Sequence, residues 1–173
     1  MKEIKTERLV LKPVSKEYLD SIHRCISDRE NIRYMLFLPT ETLEQTREFV
    51  EDGEMEFKKD RPASYKFGVF FNDVHIGILL AFLDVEKTQA DIGWIINPEY
   101  QGHGFAVEAS RALVEFLLHE VGLTRLIAHC DIANVASRKV MEKLGMKFVD
   151  DCGTRRNKFS HDDSRECLFE LCA

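Results

Sequence analysis

No unbroken apolar run in this sequence is long enough to span a bilayer, so neither a helical membrane protein nor a membrane partner is expected. A basic surplus is missing too. Lys and Arg number 24 against 30 Asp and Glu, a formal charge of −6, whereas phosphate backbones are bound by basic surfaces. No nucleic-acid partner is expected, and a cationic substrate is mildly favoured. The opening stretch MKEIKTERLVLKPVSKEYLD carries charges where a secretory leader has its apolar centre, which points to a cytoplasmic protein. The cysteines, Cys25, Cys130, Cys152, Cys167 and Cys172, are odd in number and include no C-x-x-C pair. Reduced thiols and no metal site are therefore expected. Repeats, low-complexity tracts and interdomain linkers are absent. The length fits one domain over residues 1–173, acting as a monomer or homodimer.

The segments that remain read as a mixed α/β protein, in the order β-α-α-β-β-β-α-β-α-β-β. RLVLKPV alternates like a strand, and Ser15 is placed to cap a helix over Lys16 to Ser27. Thr42 and Gln45 have capping-box spacing at the head of a second helix running to about Lys59, with Leu43, Val50 and Phe57 on one face. YKFGVFF and HIGILLAFLD flank the turn signal Asn72-Asp73-Val74, and a further turn over Glu86 to Gln89 leads into ADIGWIIN. VEASRALVEFLLHEV carries Ala109, Leu113, Phe116 and Leu117 on one helical stripe. RLIAHCDI reads as a strand and NVASRKVMEKLG as a short helix closed by Gly145, with KFVDD and ECLFELC as the last strands.

Between ADIGWIIN and the long helix lies NPEYQGHGFAVEA, two glycines bracketing a histidine. A helix N-terminus carries unpaired N–H groups and about half a positive charge, and glycines before it let an anion reach those amides. A phosphate cradle and a plain loop both fit this spacing. A Walker loop does not, because no Gly-Lys-Ser/Thr follows. A dinucleotide fingerprint would need a third glycine where Val107 stands, although Asp131 mimics the acid that reads a ribose.

These segments resemble the GNAT superfamily of acetyl-CoA-dependent N-acetyltransferases, in particular its RimJ/RimL-like branch. TERLVLKPV is similar to the opening strand of that branch. ADIGWIINPEYQGHGFAVEA is similar to its acetyl-CoA motif, with Gln101, Gly104 and Ala106 at the motif positions, and NVASRKVMEKLGM to the helix after its fifth strand. The resemblance implies a mostly antiparallel sheet of about seven strands, splayed between the fourth and fifth and flanked by about four helices. It implies that Gln101, Gly102, His103, Gly104, Phe105 and Ala106 hold the coenzyme pyrophosphate, that the backbone of Trp94, Ile95 and Ile96 pairs with the pantetheine arm, and that Asn134 contacts the coenzyme. Asn134 is equally placed to cap a helix. Gly93 is placed to ease the bulge that splays the strands, or to pack a crowded face.

Acetyl transfer to an amine needs a base, an oxyanion donor and a way to release a thiolate. A backbone N–H near Ile95 is the expected donor. Asp91 and His129 are the candidate bases, each with a plainer reading as a strand residue facing solvent or a satisfied half-buried histidine. Many family members carry a tyrosine as acid in the helix after the fifth strand. Met141 stands there, and a thioether has no proton to donate. Ser137, one turn earlier, matches the branch serine and is the candidate hydrogen-bond donor to the leaving sulfur, or a first-turn serine bonding locally. Arg138 and Lys139 are placed for the coenzyme 3′-phosphate or for solvent. The implied acceptor is a protein N-terminal amine, a polyamine or an aminoglycoside-like amine. Its choice is expected to rest on the first two helices and the loop from Phe159 to Arg165. A non-catalytic acyl-CoA sensor is the alternative reading, and a nicotinamide-dependent oxidoreductase a third.

Overall fold

A computed structural model describes residues 3–36, 41–158 and 163–173. Its strands are β1 (Ile4–Lys5), β2 (Leu9–Pro13), β3 (Ser64–Phe71), β4 (Val74–Leu83), β5 (Gln89–Ile96), β6 (Arg125–Asp131), β7 (Lys147–Arg155) and β8 (Ser164–Cys172). Its α-helices are α1 (Leu19–Ser27), α2 (Leu43–Glu56), α3 (Phe105–Glu115) and α4 (Val135–Lys143). The strands form one eight-stranded sheet in the order β1-β2-β3-β4-β5-β6-β8-β7. The strand beyond the expected seven is β1, two residues paired with β2 and too short to show a period. The expected fourth and fifth strands are thus β5 and β6.

Local chemistry explains most of the elements. The Thr42 hydroxyl accepts from Gln45 N–H, and the Gln45 side chain accepts from Thr42 N–H, so both halves of the capping box form at the head of α2. Gly53 allows α2 to lie close on Val14 and β3, since a Cβ there would come within 2.5 Å of Val14 Cγ2 and 3.2 Å of Lys66 Cδ. Asn72 and Asp73 take φ of 48° and 62°, the left-handed pair that a two-residue hairpin turn requires between β3 and β4. The Asp84 carboxylate closes the next turn by accepting from Thr88 N–H at 2.8 Å and Gln89 N–H at 3.1 Å.

α3 covers one face of the sheet, where Ala109, Leu113 and Leu117 pack on Leu79, Ala81, Leu126 and Ala128. α1 and α2 cover the other, where Ile22, Ile26 and Val50 pack on Ile78, Leu80 and Ile95. Two helix expectations are corrected. α2 ends at Glu56 rather than Lys59, and Leu43 on its first turn is exposed, leaving Val50 as the buried member of that stripe. The long helix changes at Phe116 into a π-helical turn over Phe116–Val121, ended by Gly122 at φ 83°. The wider turn sets the Phe116 ring edge-on against Tyr65 and Phe67, at 5.2 and 5.7 Å, while Leu117 stays in the core. No helix among the described residues is long and apolar enough to cross a membrane.

The feature that makes room for a site is the parting of β5 and β6. They pair in parallel only through Gln89↔Arg125, Ala90↔Leu126 and Asp91↔Ile127. Beyond that, β5 stays on β4 as far as Gly77↔Ile96, and β6 stays on β8 as far as Asp131↔Glu166. Each strand follows the twist of its own antiparallel partner, and the two halves of the sheet diverge. The splay is as expected, but its cause is not a bulge at Gly93: the β4–β5 register runs unbroken through Leu80↔Gly93.

Candidate active site

The opening between β5 and β6 holds a cleft of about 470 Å³, within the range of about 300–1,000 Å³ usual for small-molecule sites. An inner cavity of about 150 Å³ adjoins it. Tyr34, Met35, Trp94, Asn134 and Ser137 line both, so the two spaces meet there.

The outer cleft is bordered by main chain. Gly102 and Gly104 adopt φ of 80° and 81°, where any other residue would be strained, and Gly104 caps α3. The first intrahelical bond of α3 runs from Glu108 N–H to Gly104 O, which leaves the N–H groups of Phe105, Ala106 and Val107 ahead of the helix. The amides of Gly102, His103 and Gly104 have no backbone acceptor among the described residues. Gln101 differs from expectation. Its amide closes a turn on Pro98 O, and its side chain instead braces the loop by donating to Ile96 O at 2.8 Å and Asn31 Oδ1 at 3.1 Å. Arg8 braces the other side, donating to His103 O at 3.1 Å, lying 4.6 Å over the Phe105 ring and pairing with Glu108 at 2.6 Å. Burial pushes the Glu108 carboxyl up, but hydrogen bonds from Thr6 and Arg8 outweigh it and hold it below the usual range. The ion pair with Arg8 offsets that negative charge one turn into α3. Trp94, Ile95 and Ile96 line the cleft on a stretch of β5 that has left β6, and Lys139 and Lys143 line it from α4. Arg138 is oriented differently, close enough to Cys130 and Cys167 for its charge to oppose, without overcoming, the rise that burial imposes on both thiols.

The inner cavity is bordered by side chains. Asp91 and His129 come from the two diverging strands, and His129 Nδ1 meets Asp91 Oδ2 at 3.0 Å. That hydrogen bond raises the His129 pKa above its ordinary value, against the opposing effect of burial. Both residues line the cavity. Asn134 caps α4 by accepting from Ser137 N–H at 3.1 Å and still borders both spaces. Met141, only 1% exposed, lines the inner cavity where the resemblance expects tyrosine. Cys130 lines it as well, with burial pushing its thiol up to about 12.

Sequence reasoning missed a buried polar knot behind this cavity. Arg155 donates to Asn157 Oδ1 at 3.0 Å, Glu166 Oε2 at 3.0 Å and Tyr34 O at 2.7 Å, and Asn157 donates to Asp131 Oδ2 at 2.5 Å. Arg155 thereby pins the segment bearing Tyr34 and Met35 over the place where the spaces meet. Nothing in the sequence separates it from Arg156, whose partner is Asp163 on the surface. The same knot removes the ribose reading of Asp131, which is buried and bonded to Asn157 and Ala133 N–H. Carboxylates of α2 that add to the acidic balance are engaged in ion pairs. Glu44, Glu51, Asp52 and Glu56 pair with Arg47, Lys16, Lys66 and Lys59. Of the loop expected to select the acceptor, residues 159–162 lie outside the described residues. Among the described residues no group of three or more His, Cys, Asp or Glu is placed to hold a metal ion.

Residues 8–147 match the family model described as an acetyltransferase (GNAT) domain. The uncharacterized N-acetyltransferase YnaD of Bacillus subtilis is 28% identical over 162 residues, 90% of this chain and 91% of the relative. A GNAT-family acetyltransferase from Bacillus anthracis superposes with a TM-score of 0.82 at 26% identity, over 99% of this chain and 98% of that one. RimL, a ribosomal L7/L12 alpha-N-protein acetyltransferase solved with coenzyme A, superposes with a TM-score of 0.86 at 16% identity, over 99% and 98%. At that identity the likeness is one of fold.

Proposed function

The chain belongs to the GNAT acetyltransferase family, and from that premise we propose that it moves an acetyl group from acetyl-CoA to a primary amine by direct attack in a ternary complex. One observation carries this reading: a cleft edged by free main-chain donors meets a cavity edged by a carboxylate–imidazole pair, at Trp94, Asn134 and Ser137. The residues present fit the coenzyme. Two left-handed glycines keep side chains off the amides of 102–107, the positive end of α3 stands behind them, and the cleft has the volume of a ligand site. Gly102 to Ala106 would hold the pyrophosphate. The backbone of Trp94 to Ile96 would take the pantetheine arm as an added strand, and Lys139 would lie near the phosphates.

Acetyl-CoA, when bound, supplies the acetyl group in activated thioester form. The chain supplies the rest. A lysine-like amine is protonated at neutral pH, with a pKa near ~10.4, so a proton has to be removed before attack. Neutral His129 accepts that proton, and Asp91 holds the ring by Nδ1 and stabilises the imidazolium. The pair is thus one base built from two residues. A main-chain N–H near Ile95 stabilises the carbonyl oxygen as charge develops on it. Ser137 hydrogen-bonds the departing sulfur in the absence of a tyrosine at 141. Cys130 is no rival nucleophile, because a thiol held at about 12 is almost wholly protonated, and this favours direct attack over an acyl-enzyme.

We take the whole chain to work as one RimJ/RimL-like domain in the cytoplasm, with a protein N-terminal amine, a polyamine or an aminoglycoside-like amine as the acceptor. Met141 is the one observation that favours a non-catalytic acyl-CoA sensor. Purified protein incubated with acetyl-CoA and a panel of such amines decides between them. The transferase releases free thiol in step with acetylated amine, whereas tight CoA binding without thiol release from any amine would leave the sensor standing.

A further inference from the structure

Gly93 has no evident reason to be glycine. It lies in mid-strand, in unbroken register opposite Leu80, and its φ is not among the left-handed ones. Among the described residues a Cβ built on it meets no heavy atom within 4 Å, whereas one on Gly53 would collide with Val14. The space above Gly93 is the inner cavity. On the same face the cross-strand pairs Leu80↔Gly93 and Phe82↔Asp91 set two apolar side chains beside that floor. Phe82 is left 48% exposed, a large ring uncovered at the edge of a cavity that Leu80 and Met35 also line. Charge points the same way. Asp91 is the only carboxylate among the described residues lining this cavity. It already faces His129, and the other charged neighbour, Arg155, is a cation. A polyamine would find one shared carboxylate for its several ammonium groups.

We propose that the vacancy over Gly93, walled by Leu80, Phe82 and Met35, receives a compact aliphatic group carried next to the reacting amine, so that the preferred acceptor is a primary amine with a small apolar substituent rather than a polycation. The inference rests on the acetyltransferase reading for the role of the cavity, and it deepens that reading by naming the acceptor class. Gly93 is then a specificity residue. It acts by what it leaves out.

The test compares kcat/KM for the amides of glycine, alanine, valine and leucine, and for spermidine, in wild type and Gly93→Val. Each aliphatic carbon received by the cavity is worth about fourfold. Wild type should therefore favour valinamide over glycinamide by about tenfold or more, with spermidine below valinamide. Gly93→Val fills the floor and should erase that preference, cutting valinamide and leucinamide at least about tenfold more than glycinamide. Its melting temperature should not fall, because the new side chain enters open space. A preference for spermidine, or an equal loss for every amide in Gly93→Val, would overturn the proposal. If no amine is acetylated, the transferase reading fails by itself. The cavity is then read by calorimetric titration of the same amides into CoA-saturated protein. Tighter binding of valinamide than glycinamide, lost in Gly93→Val, upholds the selectivity, and equal or undetectable binding refutes it.

Discussion

The two spaces that meet between β5 and β6 are built from different materials. The outer cleft is edged by backbone amides, and its shape depends on two glycines at positive φ and the braces from Gln101 and Arg8. The inner cavity is edged by side chains from the 31–36 segment, β4, β5, β6, α4 and β7, held by buried polar contacts around Arg155. Main-chain donors recognise a phosphate whatever else the ligand carries. Side chains can be exchanged one at a time. A fold divided in this way can keep one coenzyme while changing its acceptor, because substitutions in the inner wall leave the outer donors in place.

The largest effect expected from breaking this division is on chemistry. His129→Ala should lower kcat by about 10²–10⁴, the usual contribution of a general base, while calorimetric CoA affinity stays unchanged. The pH profile sharpens the point. His129 has to be neutral to act, so kcat should rise with pH through its raised pKa. Asp91→Asn removes the carboxylate charge that favours the imidazolium, so the acid limb should move to lower pH. A joint collapse of CoA binding and kcat would contradict the division. Next in size, Arg155→Met should cost roughly 3–5 kcal/mol in urea unfolding, since it leaves Glu166 and Asn157 without their buried partner. It should also raise KM for the amine more than KM for acetyl-CoA, because the Tyr34 segment loses its pin.

Gly104→Val reverses the pattern. A branched residue at φ 81° costs roughly 1–2 kcal/mol, and relief of that strain would withdraw the amides. CoA affinity by calorimetry should weaken by about tenfold, which is about 1.4 kcal/mol, while kcat at saturating acetyl-CoA holds. The smallest effect comes at the shared residue. Asn134→Ala should lose about 1 kcal/mol of helix capping in thermal or urea melts, whereas Asn134→Asp keeps the cap and exchanges the side-chain N–H₂ for a charged oxygen. A loss of CoA affinity in Asn134→Asp without a loss of stability would assign the residue to both duties.

Features decided by neighbouring residues were legible in the sequence. Thr42 and Gln45 sit three apart, and Asn72-Asp73 supplies residues that tolerate the positive backbone angles of a tight hairpin, so the capping box and the turn follow from short-range chemistry. The glycine loop was legible for the same reason. The expected bulge at Gly93 failed because divergence of β5 and β6 arises from competition between partners, β4 for one strand and β8 for the other. The π turn over Phe116–Val121 escaped because apolar residues at this spacing serve an α-helix equally well. Asp131 looked like a ligand-facing acid at a strand end, and only the arrival of Asn157 from far along the chain shows where its carboxylate points. Arg155 carried no signal at all. The sheet, the cleft and its glycines were therefore readable, while the wall that would choose the acceptor was not.

The place of β8 has a consequence for how the protein is made. On the ribosome, every residue of the outer cleft and the Asp91–His129 pair emerges before β8 does, yet β6 has only three rungs on β5 until Ser164–Cys172 arrive to pair along its whole length. A nascent chain halted after α4 would own the outer cleft and the Asp91–His129 pair without the strand that draws β6 away from β5. Competence for ligand should then appear late and abruptly during translation, as the last strand slides between two older ones.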